Sequence, residues 1–294
     1  MKKILLTGPS GQVGYELERS MQGLGQVIAL DRSKMDLSDL MQVRNVIREI
    51  KPDLIVNSAA YTAVDKAEAE PKLSMLINAD APAVMAEEAR KLGAAMIHYS
   101  TDYVFDGKKE TPYLETDPTC PINVYGLTKL KGEEAIQAAG IPYLIFRTSW
   151  VYGMRGKNFL ATIIRLAKER DELRIVADQF GSPTWCRTIA ETTAQIITQL
   201  NGRRNNAIQS SDAWRELSGI YNLTGQGQTS WHGFASEILK HHSVAEKSTV
   251  VPITTPEFPL PAMRPVNSSL DSGRLIARFC ALPKWDDALR LCQD

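Results

Sequence analysis

The sequence predicts an α/β fold, a doubly wound parallel sheet with a smaller C-terminal lobe. Three observations predict it. A strand-like run, Lys3–Thr7, passes directly into Gly8-x-x-Gly11-x-x-Gly14, a glycine turn that opens a helix. Apolar runs of strand length then alternate with helix-patterned segments as far as about Arg147. After about Trp150 that rhythm loosens. The spacing therefore divides the chain into a sheet-forming part, 1–150, and a lobe, 151–294, that crosses back to the sheet at least once.

In chain order, the helix after the glycine turn is expected to run to about Leu24, followed by a strand over Gln26–Leu30. Val43, Val46, Ile47 and Ile50 form one apolar stripe, so a helix is read over Ser38–Ile50 with Ser38 as N-cap. Asp53–Asn57 is a third strand. Leu73–Leu92 reads as a long helix in which Pro82 marks an irregularity. Ala94–Tyr99 is a strand, Tyr125–Ala139 a helix and Tyr143–Arg147 a strand. Beyond these, Asn158–Glu169, Thr188–Leu200 and Ser230–His241 have helical spacing, and Arg174–Ala177 reads as a strand. Asn201–Asp212 is a polar, flexible stretch, and Pro252–Pro265 a Pro-rich loop.

Composition narrows the function classes. Lys+Arg and Asp+Glu balance at 34 each, so no global field favours nucleic acid or an anionic membrane surface. No apolar run approaches the roughly 18 residues of a membrane span. The four cysteines lack metal or disulfide spacing, and the expectation is a reduced, cytoplasmic protein. His241-His242 has no third ligand nearby and reads as surface.

The glycine turn carries the first functional signal. Glycines there allow a tight bend and close approach of backbone to a pyrophosphate lying over the helix N-terminus, which makes the sheet Rossmann-like. Gly8, Ser10, Gly11, Gln12, Val13 and Gly14 are the expected dinucleotide contacts. Asp31, at the end of the second strand, suits the adenosine ribose hydroxyls of NADH, whereas Arg32 suits the 2′-phosphate of NADPH. Either cofactor is therefore expected. Asp36 and Leu37 are candidates for the adenine edge.

Tyr125 and Lys129 lie one helical turn apart. A phenol titrates near ~10, and a cation beside it lowers that value toward the working range. Chance alone supplies about half a Tyr-x-x-x-Lys in such a chain. Thr101, at the end of the fourth strand, adds a hydroxyl where doubly wound folds bind ligands.

Together Thr7-Gly8-x-x-Gly11-x-x-Gly14, Asn57-Ser58-Ala59-Ala60, Ser100-Thr101-Asp102 and Tyr125-x-x-x-Lys129 resemble the extended short-chain dehydrogenase/reductase family. Further matches to its nucleotide-sugar reductases lie in Arg147–Tyr152, Asp178–Thr184 and Arg264–Ser268. The resemblance implies reduction of the C4 ketone of dTDP-4-dehydro-L-rhamnose, with hydride from NADPH or NADH. It makes Tyr125 the proton donor, Lys129 the ribose ligand and Thr101 the group that polarises the carbonyl. It adds Ala59, Ala60 and Thr62 to the cofactor contacts. Asp102, Tyr103, Trp150, Asn158, Gln179 and Arg264 become dTDP-sugar contacts, with Arg264 on the diphosphate. Asn78 would support the site or merely hold its helix.

Family members are also described with Mg2+. Glu16 matches that pattern, but after Thr184 the first acid is Glu191, so no metal ligand is assigned and Glu16 reads as an exposed helix residue. A monomer or homodimer is expected. A dehydratase would need an acid after Asp102, where Tyr103 stands. A regulatory subunit like that of methionine adenosyltransferase, which resembles the same family, is the non-catalytic alternative.

Overall fold

A computed structural model describes residues 2–202, 210–240 and 248–293. Its central sheet has six parallel strands. In spatial order they are Gly219–Asn222, β5 (Tyr143–Thr148), β4 (Ala95–Thr101), β3 (Leu54–Asn57), β1 (Lys3–Thr7) and β2 (Gln26–Leu30). The order reverses at β1, and doubly wound sheets bind ligands in the crevice that this reversal opens at the carboxyl ends of the strands.

Strand alternation sends successive side chains to opposite faces, and both faces are apolar. On one face Ile4, Leu6, Val56, Ile97 and Phe146 pack against Ile189, Ile196, Ile197 and Leu200 of the Cys186–Gly202 helix. On the other, Leu5, Ile55, Met96 and Ile145 meet Val43, Ile47, Met85 and Ala89. A separate cluster fills the C-terminal part, around Tyr152, Leu160, Ile163, Leu173, Phe234 and Ile238.

Several boundaries differ from expectation for physical reasons. The first helix is Gln12–Ser20, stopping short of Leu24, whose N–H closes a turn onto Met21. The second is Leu40–Ile50, and its cap is Asp39, whose carboxylate accepts from the N–H groups of Met41 and Gln42. Ser38 instead donates its hydroxyl to Asp36. The expected long helix is built of Pro71–Met75, a π-helical turn Leu76–Asp80, and Ala81–Leu92. Pro82 has no N–H for the Asn78 carbonyl, and the wider turn just before it absorbs the break.

The ends of the Asn201–Asp212 stretch are helical, in Cys186–Gly202 and Ser210–Glu216, while 203–209 lie outside the described residues, as do His241 and His242. The strand placed at Arg174–Ala177 is Glu172–Val176, paired with Thr249–Ile253 where the Pro-rich loop was expected to begin. The Gly219–Asn222 strand and the helices Gly273–Arg278 and Trp285–Gln293 were not anticipated. Among the described residues no helix is long and apolar enough to cross a membrane.

Candidate active site

A cleft of about 800 Å³ opens over the carboxyl ends of β1, β3 and β4. Its floor is the glycine turn. Gly8 has φ +70°, and a Cβ on it would lie 3.0 Å from the Ala59 backbone. A Cβ on Gly14 would come within 2.0 Å of the Gly8 carbonyl oxygen, so the helix seats against the turn only with glycine there. Gly8, Ser10, Gly11, Gln12, Val13, Gly14, Arg32, Asp36, Leu37, Ala59, Ala60 and Thr62 all line this end. Asp31 does not; it is exposed, and its carboxylate accepts from the backbone and hydroxyl of Ser33. Arg32 pairs with Asp36 at 3.1 Å.

The opposite wall gathers Thr101, Asp102, Tyr103, Tyr125, Lys129 and Trp150. Asn123 caps the Val124–Ala138 helix by accepting from Gly126 N–H, which fixes the first turn and with it Tyr125. Burial pushes the Tyr125 phenol up to about 12, against the Thr101 hydroxyl hydrogen-bonded to it. The expected lowering by Lys129 is not what this geometry produces. The Lys129 ammonium is turned into the protein, donating to the Tyr99 carbonyl at 2.6 Å and lying 3.1 Å from His98 Nε2. Burial pulls Lys129 down to about 8, opposed by the Glu133 carboxylate one turn further on.

Thr101 Oγ1 donates to Asp102 Oδ1 at 2.9 Å and accepts from the Tyr103 N–H at 3.2 Å. Asp102 is 3 % exposed, and burial pushes its carboxyl up to about 7 against the hydroxyls of Ser268 and Thr101. Tyr103 meets Tyr125 edge to face, with ring centroids 5.8 Å apart.

Trp150 stacks on Trp231, which also lines the cleft, with ring centroids 3.4 Å apart. It has φ +46°, a conformation strained for a bulky residue, and a Cβ on Gly181 would clash with its indole at 2.3 Å. Asn158 reaches the cleft, but its amide is consumed: Oδ1 caps the Phe159–Glu169 helix and Nδ2 donates to Gln12 Oε1 and the Gly153 carbonyl. Gln179 and Arg264 are not among the lining residues. Gln179 donates to Thr255, and Arg264 pairs with Asp65 at 2.8 Å.

The model of the "RmlD substrate binding domain" family matches residues 1–294. A dTDP-4-dehydrorhamnose reductase of Burkholderia thailandensis is 48% identical over 297 residues, covering 99% of this chain and 97% of that one. The chain belongs to the dTDP-4-dehydrorhamnose reductase family. It is accordingly an enzyme of the oxidoreductase class. Among solved structures, the reductase of Clostridium acetobutylicum aligns with TM-score 0.89 at 36% identity over 99% of this chain and 98% of that one. The reductase of Bacillus anthracis, solved in complex with NADP, aligns with TM-score 0.88 at 35% identity over the same shares.

For this member of the reductase family, sequence reasoning missed part of the lining. Ser58, Tyr61, Thr148, Ser149, Lys157 and Trp231 face the cleft. Ser58 belongs to a motif already singled out, Tyr61 and Lys157 flank residues already singled out, and nothing beside Trp231 in the sequence marks it. Asn78, left open between two roles, is buried: its amide accepts from Tyr61 N–H and donates to Thr128 Oγ1, tying β3's loop to the Tyr125 helix.

Glu16 is half-buried rather than exposed, lying near the Cys186 thiol and Arg187. Arg187 is already paired with Glu191. Among the described residues no three His, Cys, Asp or Glu side chains converge on one point.

Proposed function

We propose that the chain reduces the C4 ketone of dTDP-4-dehydro-L-rhamnose to dTDP-L-rhamnose. The observation that carries this reading is a single cleft with the dinucleotide turn on one side and Thr101, Tyr125 and Lys129 on the other. NADPH or NADH, bound along the glycine turn, supplies the hydride. Tyr125 gives its phenolic proton to the ketone oxygen as charge develops there. A phenol held well above neutrality is fully protonated at the start, which suits it to the reductive direction. Thr101, whose hydroxyl interacts with the Tyr125 phenol, orients and polarises the ketone carbonyl between them. Lys129 retains an N–H for the cofactor ribose beyond the two buried contacts it already makes. The Trp150–Trp231 stack offers an apolar platform for the sugar or its base.

Arg32 as the 2′-phosphate ligand favours NADPH, since Asp31 is turned toward Ser33. The test is direct: purified protein, NADPH and dTDP-4-dehydro-L-rhamnose. Oxidation of NADPH that depends on the keto-sugar is expected. Cofactor binding without sugar-dependent oxidation would reject the reaction and favour a binding protein on the same fold.

A further inference from the structure

Behind the cleft runs a row of polar side chains that the reaction, as described, leaves idle. Thr7, Asn57 and His98 are register partners across β1, β3 and β4. Register neighbours on parallel strands present their side chains to the same face, about 5 Å apart. The row is continuous: Thr7 Oγ1 lies 2.7 Å from Asn57 Oδ1, and Asn57 Nδ2 lies 3.0 Å from His98 Nδ1. His98 Nε2 then lies 3.1 Å from Lys129 Nζ. The exposures of Thr7, Asn57, His98 and Lys129 are 2, 1, 1 and 1 %, so the protein must satisfy these groups without bulk water. His98 does not line the cleft.

Resting on the reading of Lys129 as the ammonium that holds the cofactor ribose, we infer that His98 is a positioning residue, a neutral imidazole protonated at Nδ1 whose Nε2 accepts from Lys129. An ammonium only donates, so the ring nitrogen facing it must carry no proton. The neutral ring therefore holds its proton on Nδ1, toward Asn57. Asn57 answers with its amide oxygen and turns its NH2 to Thr7; a half-turn of the nearly isosteric amide exchanges the two. The opposite arrangement would set an Nε2–H against the ammonium, two donors face to face. Burial and the neighbouring Lys129 charge both hold His98 well below the usual imidazole range, consistent with a neutral ring.

With Tyr99 O and His98 Nε2 taking two of its three N–H groups, Lys129 has one left, and two fixed acceptors decide its direction. His98 thus links the lysine to β1, the strand that ends at the glycine turn.

The decisive measurement is long-range 1H–15N correlation of the imidazoles in the unaltered protein at neutral pH. Protonated Nδ1 and unprotonated Nε2 are expected for His98; a proton on Nε2 overturns the inference whether or not the enzyme reduces a sugar. His98→Gln and His98→Leu supply the second arm, read as NADPH Kd by fluorescence titration. Glutamine can return an amide oxygen near the Nε2 position, and leucine cannot. His98→Leu should weaken NADPH at least about tenfold more than His98→Gln does. Equal affinities for the two variants would reduce His98 to a packing role. Should His98→Leu not fold, the nitrogen spectrum still decides. Unchanged NADPH affinity in Lys129→Ala, with the expected His98 spectrum, would instead remove the ribose contact and leave the imidazole assignment standing.

Discussion

Tyr125 and Asp102 are both held away from their usual titration range by burial, with different consequences. The phenol acts on charge that appears only as the ketone is reduced, so Tyr125→Phe should lower kcat by about 10²-fold or more. NADPH affinity should stay within about twofold, because the phenol's cofactor contact is slight beside that of the glycine turn. Near-normal turnover in that variant would take the proton-donor role from Tyr125. Asp102 has a folded value of about 7 against 3.8 in water. Its stabilising contribution is complete below the unfolded value and is lost as pH rises through the folded one. Above pH about 7 the fold carries a buried carboxylate, at a cost of up to roughly 4 kcal/mol. Asp102→Asn carries no such charge, so its Tm relative to the parent should climb between about pH 5 and pH 8. A pH-independent difference in Tm would show that Asp102 is not so perturbed. That Thr101, Tyr125, Lys129 and the glycine turn would face one cleft was legible in the sequence, because a doubly wound parallel sheet brings its strand ends to one side. That Arg264, Gln179 and Asp31 lie outside the lining was not legible, because the contacts that hold them, to Asp65, Thr255 and Ser33, are made by the folded chain. His98 was invisible for another reason: its role arises from register across three strands, which no local pattern encodes.

The helix Val124–Ala138 carries both Tyr125 and Lys129, and its seating depends on two glycines. A Cβ on Gly126 would lie 2.1 Å from the Tyr103 carbonyl oxygen, and one on Gly132 would lie 2.2 Å from the Asn78 carbonyl oxygen. That second carbonyl belongs to the π-helical turn Leu76–Asp80, which Asn78 also ties to Tyr61 and Thr128. The turn and the helix fit together backbone against backbone. Gly132→Ala should therefore cost about 1–3 kcal/mol by overpacking, although alanine is the better helix former by up to about 1 kcal/mol. The check is chemical denaturation: a variant at least as stable as the parent would mean the contact yields without cost. Pro82 announced an irregularity in this region, and the break is real. Its form was not legible, since a proline requires only that one carbonyl lose its partner. The glycine facing it lies more than fifty residues away in the chain.

At the scale of the whole molecule, we propose that 1–150 holds the cofactor and 151–294 mainly the nucleotide-sugar. That is a division of labour and not of folding. The Gly219–Asn222 strand pairs along β5, covering what would otherwise be an open edge. Asn222 further donates to the carbonyls of Tyr113 and Asp271. One face of the sheet has its apolar cover from the Cys186–Gly202 helix and from Trp214, Leu217, Leu275 and Leu282. The alternating pattern before Trp150 made the five-stranded frame legible. The sixth strand follows a stretch that reads as polar and a helix of only seven residues, Ser210–Glu216, so periodicity did not mark it. A chain ending at residue 150 would expose an unpaired strand and an uncovered apolar face together. We expect it to lack a cooperative thermal transition, while the full chain melts in one step that secondary-structure and tryptophan signals report at the same temperature. NADPH, binding residues of the first half, should then raise that one Tm for both signals. Two resolved transitions, or a cooperative melt of the 1–150 fragment, would make the halves separate folding units joined only at the cleft.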